Sequence, residues 1–170
     1  MANITFEFNK PKAIETILYL ANKIDYHDIY GICKLLYLAD KISLENYGRF
    51  IFGETYCAMK GGGTPSHAYD LLKNTDNKEL RIDGVEVIAL REANIEHFSK
   101  SDLECLDFIV NKYGKVSNLR RARDAHDNAW KAAWEQRGEK KSITIPVTSI
   151  AKQFSDSEDL ISYLCNSDVG

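Results

Sequence analysis

The sequence predicts a mainly α chain with a small antiparallel β insertion, an α+β fold built as one compact helical domain over residues 1–170. Three observations carry this. Apolar residues recur at helical spacing before about Tyr47 and again after Ser99, while the stretch between them alternates at the period of strands. A chain of 170 residues fits one domain and buries about two-thirds of the surface its unfolded form exposes. Neither a disulfide nor a metal is needed to hold such a core.

Pro11 stands where a first helical turn tolerates proline, and Ile14, Ile17, Leu18, Ala21 and Ile24 then repeat at helical spacing. From Asp28 to about Tyr47 the stripe Ile29, Ile32, Cys33, Leu36, Ala39 is joined by Leu35, Tyr37 and Leu38, so this helix is apolar on most sides and belongs at the centre of the core. Gly48 ends it, because glycine takes the left-handed conformation without a Cβ clash. "RFIF" and "TYCAMK", separated by Gly53-Glu54, read as a small hairpin or two edge pieces. "ELRIDGVEVIAL" predicts a hairpin turning at Asp83-Gly84. Ser99 or Ser101 caps a helix through Leu103, Leu106, Val110 and Tyr113 that Gly114 stops, and Ser117 opens another with a break near His126 to Asn128 before Trp130 and Trp134. Gly138 closes that segment, and two short helical patterns follow the charged "GEKKS" loop.

Composition narrows the function classes. No apolar run approaches the roughly 20 residues of a membrane span, and the N-terminus lacks a secretion signal, so the expected location is cytoplasmic. Net charge is -3, which argues against a surface built to grip nucleic acid. Four cysteines are widely spaced and four histidines show no ligand spacing, so free thiols and no metal or cofactor are expected.

Two stretches invite a functional reading. In "MKGGGTPSHAYDLL" the glycines Gly61, Gly62 and Gly63 precede Thr64, Pro65, His67, Tyr69 and Asp70. A phosphate-binding loop places its lysine after the glycines, whereas Lys60 precedes them, and the Gly-x-Gly-x-x-Gly spacing is also missing. The expectation is structural: the glycines turn the chain, Thr64 caps a helix and Pro65 takes its first position. The second stretch, "NLRRARDAHDNAWKAAW", sets Arg120, Arg121 and Arg123 near Trp130 and Trp134. Arginine and tryptophan are common anchors of protein interfaces. A core tryptophan stripe beside solvated arginines paired with local acids is the other reading, and both stay open here.

"KLLYLADKISLENYGRFIFGETYCAMKGGGTPSHAYDLL", Lys34 to Leu72, resembles the Panacea domain, the family of SocA-like antitoxins also found in phage and prophage proteins. Lys34 to Asp40, Gly53 with Tyr56, Gly62-Gly63-Thr64-Pro65 and Tyr69-Asp70 carry the likeness. A second block, Tyr113-Gly114, Ser117, Leu119 and His126 with Trp130, is similar to the family's later signature. One position departs: Gly63 stands where the family has the first proline of Gly-Pro-x-Pro. The resemblance implies a core over 29–134, an accessory C-terminal segment over 139–170, and an antitoxin that neutralises its cognate toxin by protein contact. The implied partner is the cognate toxin, and the family's many unrelated toxins include small alarmone-synthetase-like and nucleotidyltransferase-like enzymes. It also admits an adaptor that delivers the toxin to a cytosolic protease, or a phage-encoded inhibitor of a host defence protein. From a different class comes an enzyme or nucleotide binder at Gly61–Asp70.

Overall fold

Five polar side chains start five helices. Asn9 accepts from the Lys12 amide at 3.1 Å, Asp28 from Gly31 at 2.6 Å, Ser99 from Asp102 at 3.1 Å, Ser117 from Arg120 at 3.4 Å and Asp127 from Trp130 at 2.9 Å. These set the N-termini of α1 (Lys10–Lys23), α2 (Ile29–Tyr47), α4 (Lys100–Tyr113), α5 (Asn118–Ala125) and α6 (Asn128–Glu135) in the computed structural model, which describes residues 3–74 and 78–166. Ser99, rather than Ser101, is the cap of α4. It forms a capping box in which the Asp102 carboxylate accepts from the Ser99 amide. Gly48 ends α2 with φ of 70°, as expected.

The strands run β1 (Tyr56–Met59), β2 (Gly62–Pro65), β3 (Leu80–Asp83), β4 (Glu86–Ala89) and β5 (Ile143–Thr144), with α3 (Ser66–Lys73) after β2 and α7 (Val147–Ala151) and α8 (Ser157–Asn166) at the end. One sheet has the order β2-β1-β5, all antiparallel, and β3 pairs with β4 in the other. The fold is α+β and mostly helical, as the sequence predicts.

Three local expectations are corrected. "RFIF" forms no strand: Phe50, Ile51 and Phe52 are buried, but the Ile51 amide goes to Asp40 and the Phe52 carbonyl to the Asn9 amide. The partner of β1 is therefore the glycine stretch itself, with Ala58 opposite Gly63 and Met59 opposite Gly62. In the β3–β4 hairpin the loop is Gly84-Val85, and only Gly84 has positive φ, while Asp83 stays in the strand. β5 has only two residues and leaves no period in the sequence to read.

α2 lies against α4, α5 and β2, and Ile32, Leu35, Tyr37 and Ala39 are fully buried on its different sides. Two apolar clusters share it. Ile32, Leu35 and Leu36 join α1, α4 and the β3–β4 hairpin. Tyr37 and Leu44 join Tyr56, Ala58, Ala125, Ile145, Ile150 and Leu164. Among the described residues no helix is long and apolar enough to cross a membrane.

Candidate functional site

Gly61 to Asp70 is an edge strand feeding a helix. Thr64 lies within β2 and its hydroxyl turns back to the Gly62 carbonyl, so it does not cap α3; Pro65 holds the N-cap position and has no side chain to cap with. Glu54 supplies the missing cap. Its Oε1 accepts from the Thr55 and His67 amides and from His67 Nδ1, and Oε2 accepts from the Ala68 amide, all between 2.7 and 3.0 Å. A fully buried carboxylate thus serves the first turn of α3, where free amides and the helix dipole favour negative charge. His67 stacks on Phe8 at 4.5 Å and is held by Glu54 rather than by Asp70, which lies 3.5 Å from Lys73 instead. Gly62 has φ of 118°, a conformation closed to other residues, and a Cβ on Gly63 would lie 2.9 Å from the Tyr37 ring.

The two sequence blocks meet at the tip of the β1–β2 hairpin. Trp130 Nε1 donates to the Met59 carbonyl at 2.7 Å, and His126 Nε2 lies 3.2 Å from the Lys60 carbonyl. Tyr37 from α2 donates to Asp127 at 2.7 Å, and Lys41 pairs with the same carboxylate at 2.8 Å. Trp130 and Trp134 stack with centroids 5.7 Å apart, both half-buried, and the Arg137 guanidinium covers Trp134. The tryptophans therefore brace the hairpin while keeping partly exposed rings.

The three arginines do not share a face. Arg120 and Arg123 are exposed, and Arg123 lies 3.8 Å from Asp124. Arg121 is fully buried, which corrects the expectation that it anchors a partner. Its guanidinium donates to the carbonyls of Asp25, Tyr26, Tyr113 and Gly114 and to Asn118, joining the α1–α2 loop to the end of α4. Burial pulls its pKa down, and the nearby Asp28 and Asp25 charges oppose that. Tyr26, held by this arginine, is the one non-glycine described residue with positive φ, at 56°.

Asp40 is a carboxylate inside the apolar run "LYLADKI", a signal readable in the sequence. Fully enclosed, it accepts from the Ile51 amide at 2.7 Å and from the Tyr56 hydroxyl at 2.6 Å. Burial pushes its carboxyl from 3.8 up to about 7, against the lowering effect of those two hydrogen bonds. Cys33 and Cys105 are buried thiols, raised by burial to about 12 and about 11, and therefore poor nucleophiles. No three His, Cys, Asp or Glu side chains among the described residues gather as metal ligands.

The buried charged groups of this chain are taken up by internal carbonyls, amides, a hydroxyl and ion pairs, and the hairpin tip is held by His126 and Trp130. Residues 32–131 match the family described as Antitoxin SocA-like, Panacea domain, and the chain belongs to that family. No curated protein and no solved structure gave a match.

Proposed function

We propose that the chain is the antitoxin of a toxin–antitoxin pair and neutralises a cognate protein toxin by direct contact. The match over residues 32–131 carries this reading, because it runs from within α2 to within α6 and includes the hairpin tip. The interior supports it: Asp40, Glu54 and Arg121 each have their hydrogen-bonding capacity taken up by the scaffold. Such groups hold a shape and leave recognition to the surface. Half-exposed Trp130 and Trp134 with Arg120 and Arg123 remain candidate contacts of that surface, of the residue types that anchor interfaces.

Co-expression with the protein encoded beside it tests the proposal. Rescue of growth together with a stoichiometric complex on size exclusion is the expected result. Rescue without a complex, accompanied by protease-dependent loss of the toxin, replaces direct neutralisation with delivery for degradation. Arg120→Glu with Arg123→Glu then asks whether that face takes part, with affinity read across a salt series. Arg121 is left intact in this variant, since reversing a buried charge would unfold the protein and mimic a lost contact.

A further inference from the structure

Several cations of this protein are paired with buried or half-buried carboxylates. Lys12 and Arg49 share Asp102 at 2.6 and 2.9 Å, Lys41 holds Asp127 at 2.8 Å, and Arg91 holds Glu15 at 2.7 Å. Lys34, half-buried on α2, is held less well: Arg121 and Arg137 also lack a carboxylate but donate to carbonyls at 2.7 and 2.8 Å. No carboxylate among the described residues comes within ion-pair distance of its ammonium. Its contacts are the Tyr30 carbonyl at 3.5 Å and the Tyr30 ring, 5.7 Å from centroid to Nζ. The carbonyl is too distant for a strong hydrogen bond, and the ring offers only a weak cation–π attraction.

Beside Lys34 opens a cleft of about 80 Å³, walled by Tyr30, Cys33, Met59, Gly61, Thr64 and Tyr69. Ligand pockets for whole small molecules measure roughly 300–1,000 Å³. This one admits a single side-chain head group and excludes a nucleotide. Its floor is mostly apolar, its one full charge is positive, and its wall includes the hairpin tip whose Met59 carbonyl Trp130 holds. Exposed aromatic and apolar side chains lie on the neighbouring elements, Tyr30 51% exposed, Tyr26 59% and Leu119 82%, and the Lys73 ammonium sits over the Tyr69 ring at 4.3 Å. The Asn118 side chain donates to Asp28 at 2.8 Å and Arg121 to the Tyr26 carbonyl at 2.7 Å, so the start of α5 and the α1–α2 loop are fastened side by side next to α2.

We propose that this cleft is the anchor point for an acidic side chain of the cognate toxin, an aspartate or glutamate carboxylate that supplies the counter-ion Lys34 lacks. The proposal rests on the antitoxin reading above. Tyrosines around a desolvated charge are the composition of an interface hot spot, where water is excluded and a charge-assisted hydrogen bond gains strength. Burial lowers the lysine's pKa, which marks the charged form as under-solvated and ready to gain from an incoming anion.

The test is calorimetric titration of the full chain with the toxin encoded beside it, comparing wild type, Lys34→Gln, Lys34→Arg and the exposed control Lys100→Gln. Lys34→Gln is expected to bind about tenfold more weakly or worse, with a shallower salt dependence, while Lys34→Arg keeps part of the affinity and Lys100→Gln all of it. Because Lys34 has only the weak Tyr30 contacts inside the protein, Lys34→Gln should melt at or above the wild-type temperature. A marked loss of stability would reveal an internal role and overturn the proposal. Wild-type binding with unchanged Lys34→Gln affinity overturns the anchor alone; no wild-type binding removes the antitoxin reading and the anchor with it. Inorganic phosphate is titrated in parallel. Lys34-dependent phosphate binding without Lys34-dependent toxin binding would make the cleft a free-anion site and also overturn the assignment.

Discussion

At the scale of single residues, α5 inverts the usual rule: Leu119 is 82% exposed and Arg121 is fully buried. The run "NLRRARDA" reads as a basic face if charge alone is counted. Spacing tells a different story, because Arg121 stands one turn before buried Ala125 and so lies on the inward stripe. What no spacing could show is the ring of carbonyls awaiting it, since Asp25 and Tyr26 arrive from far along the chain. Arg121→Met should therefore cost roughly 3 kcal/mol or more in chemical denaturation, through several buried carbonyls left without donors. Arg121→Lys should recover only part of this, because an ammonium has three donors and no planar fork. Asp40 gives a pH signature. Its folded-state pKa, about 7, lies above the ordinary 3.8, so its stabilising contribution is complete below 3.8 and fades as pH rises through 7. Above 7 the interior carries the ionised carboxylate. Stability should fall between pH 4 and pH 8 by on the order of 2–4 kcal/mol from this group. Asp40→Asn keeps an acceptor for Ile51 and should flatten that segment of the stability–pH curve, as equilibrium unfolding at several pH values would show.

At the scale of elements, the β1–β2 hairpin and α3 were half legible. A bend with a helix after it follows from glycines and proline, but a strand of Gly-Gly-Thr-Pro, in which only Thr64 favours β structure, is imposed by tertiary contact. Gly63 fits against Tyr37 where a side chain would not, and Glu54 does the capping that Thr64 was expected to do. Two predictions belong here. Gly62→Val should lower folded yield and cost about 1–3 kcal/mol, since φ of 118° is open only to glycine. Glu54→Gln should destabilise α3 although it is nearly isosteric, because an amide nitrogen must then face an N–H of His67 or Ala68. A loss of roughly 1–3 kcal/mol by thermal melting, with faster amide exchange at Ala68, is expected.

At the scale of the whole molecule, the helices and the β3–β4 hairpin were readable because their periods run long, while the division of the core into two clusters was not. Period reports which face of an element is buried and says nothing of its partner. The second cluster draws Tyr37, Tyr56 and Ala58 together with Ile145, Ile150, Ala151 and Leu164, residues of the segment after Gly138. We propose that the segment over 139–170 folds as part of the same cooperative unit as the 29–134 core. A chain ending at Gly138 should then expose the sheet and the Tyr56 surroundings, bind a hydrophobic dye, and lose its sharp melting transition. Retention of wild-type melting in the shortened chain would show that the segment is dispensable to the core.

The short strand β5 also sets a timetable. β1 lies between β2 and β5, and only β2 follows it closely in the chain, so during synthesis β1 can close one edge early and the other only when Ile143 and Thr144 have left the ribosome. Until then, the newborn chain carries an open strand and the apolar side of its hairpin in view of chaperones and proteases. The two edges of β1 thus lie at different distances along the chain, and the β2 side can be closed before the β5 side is available.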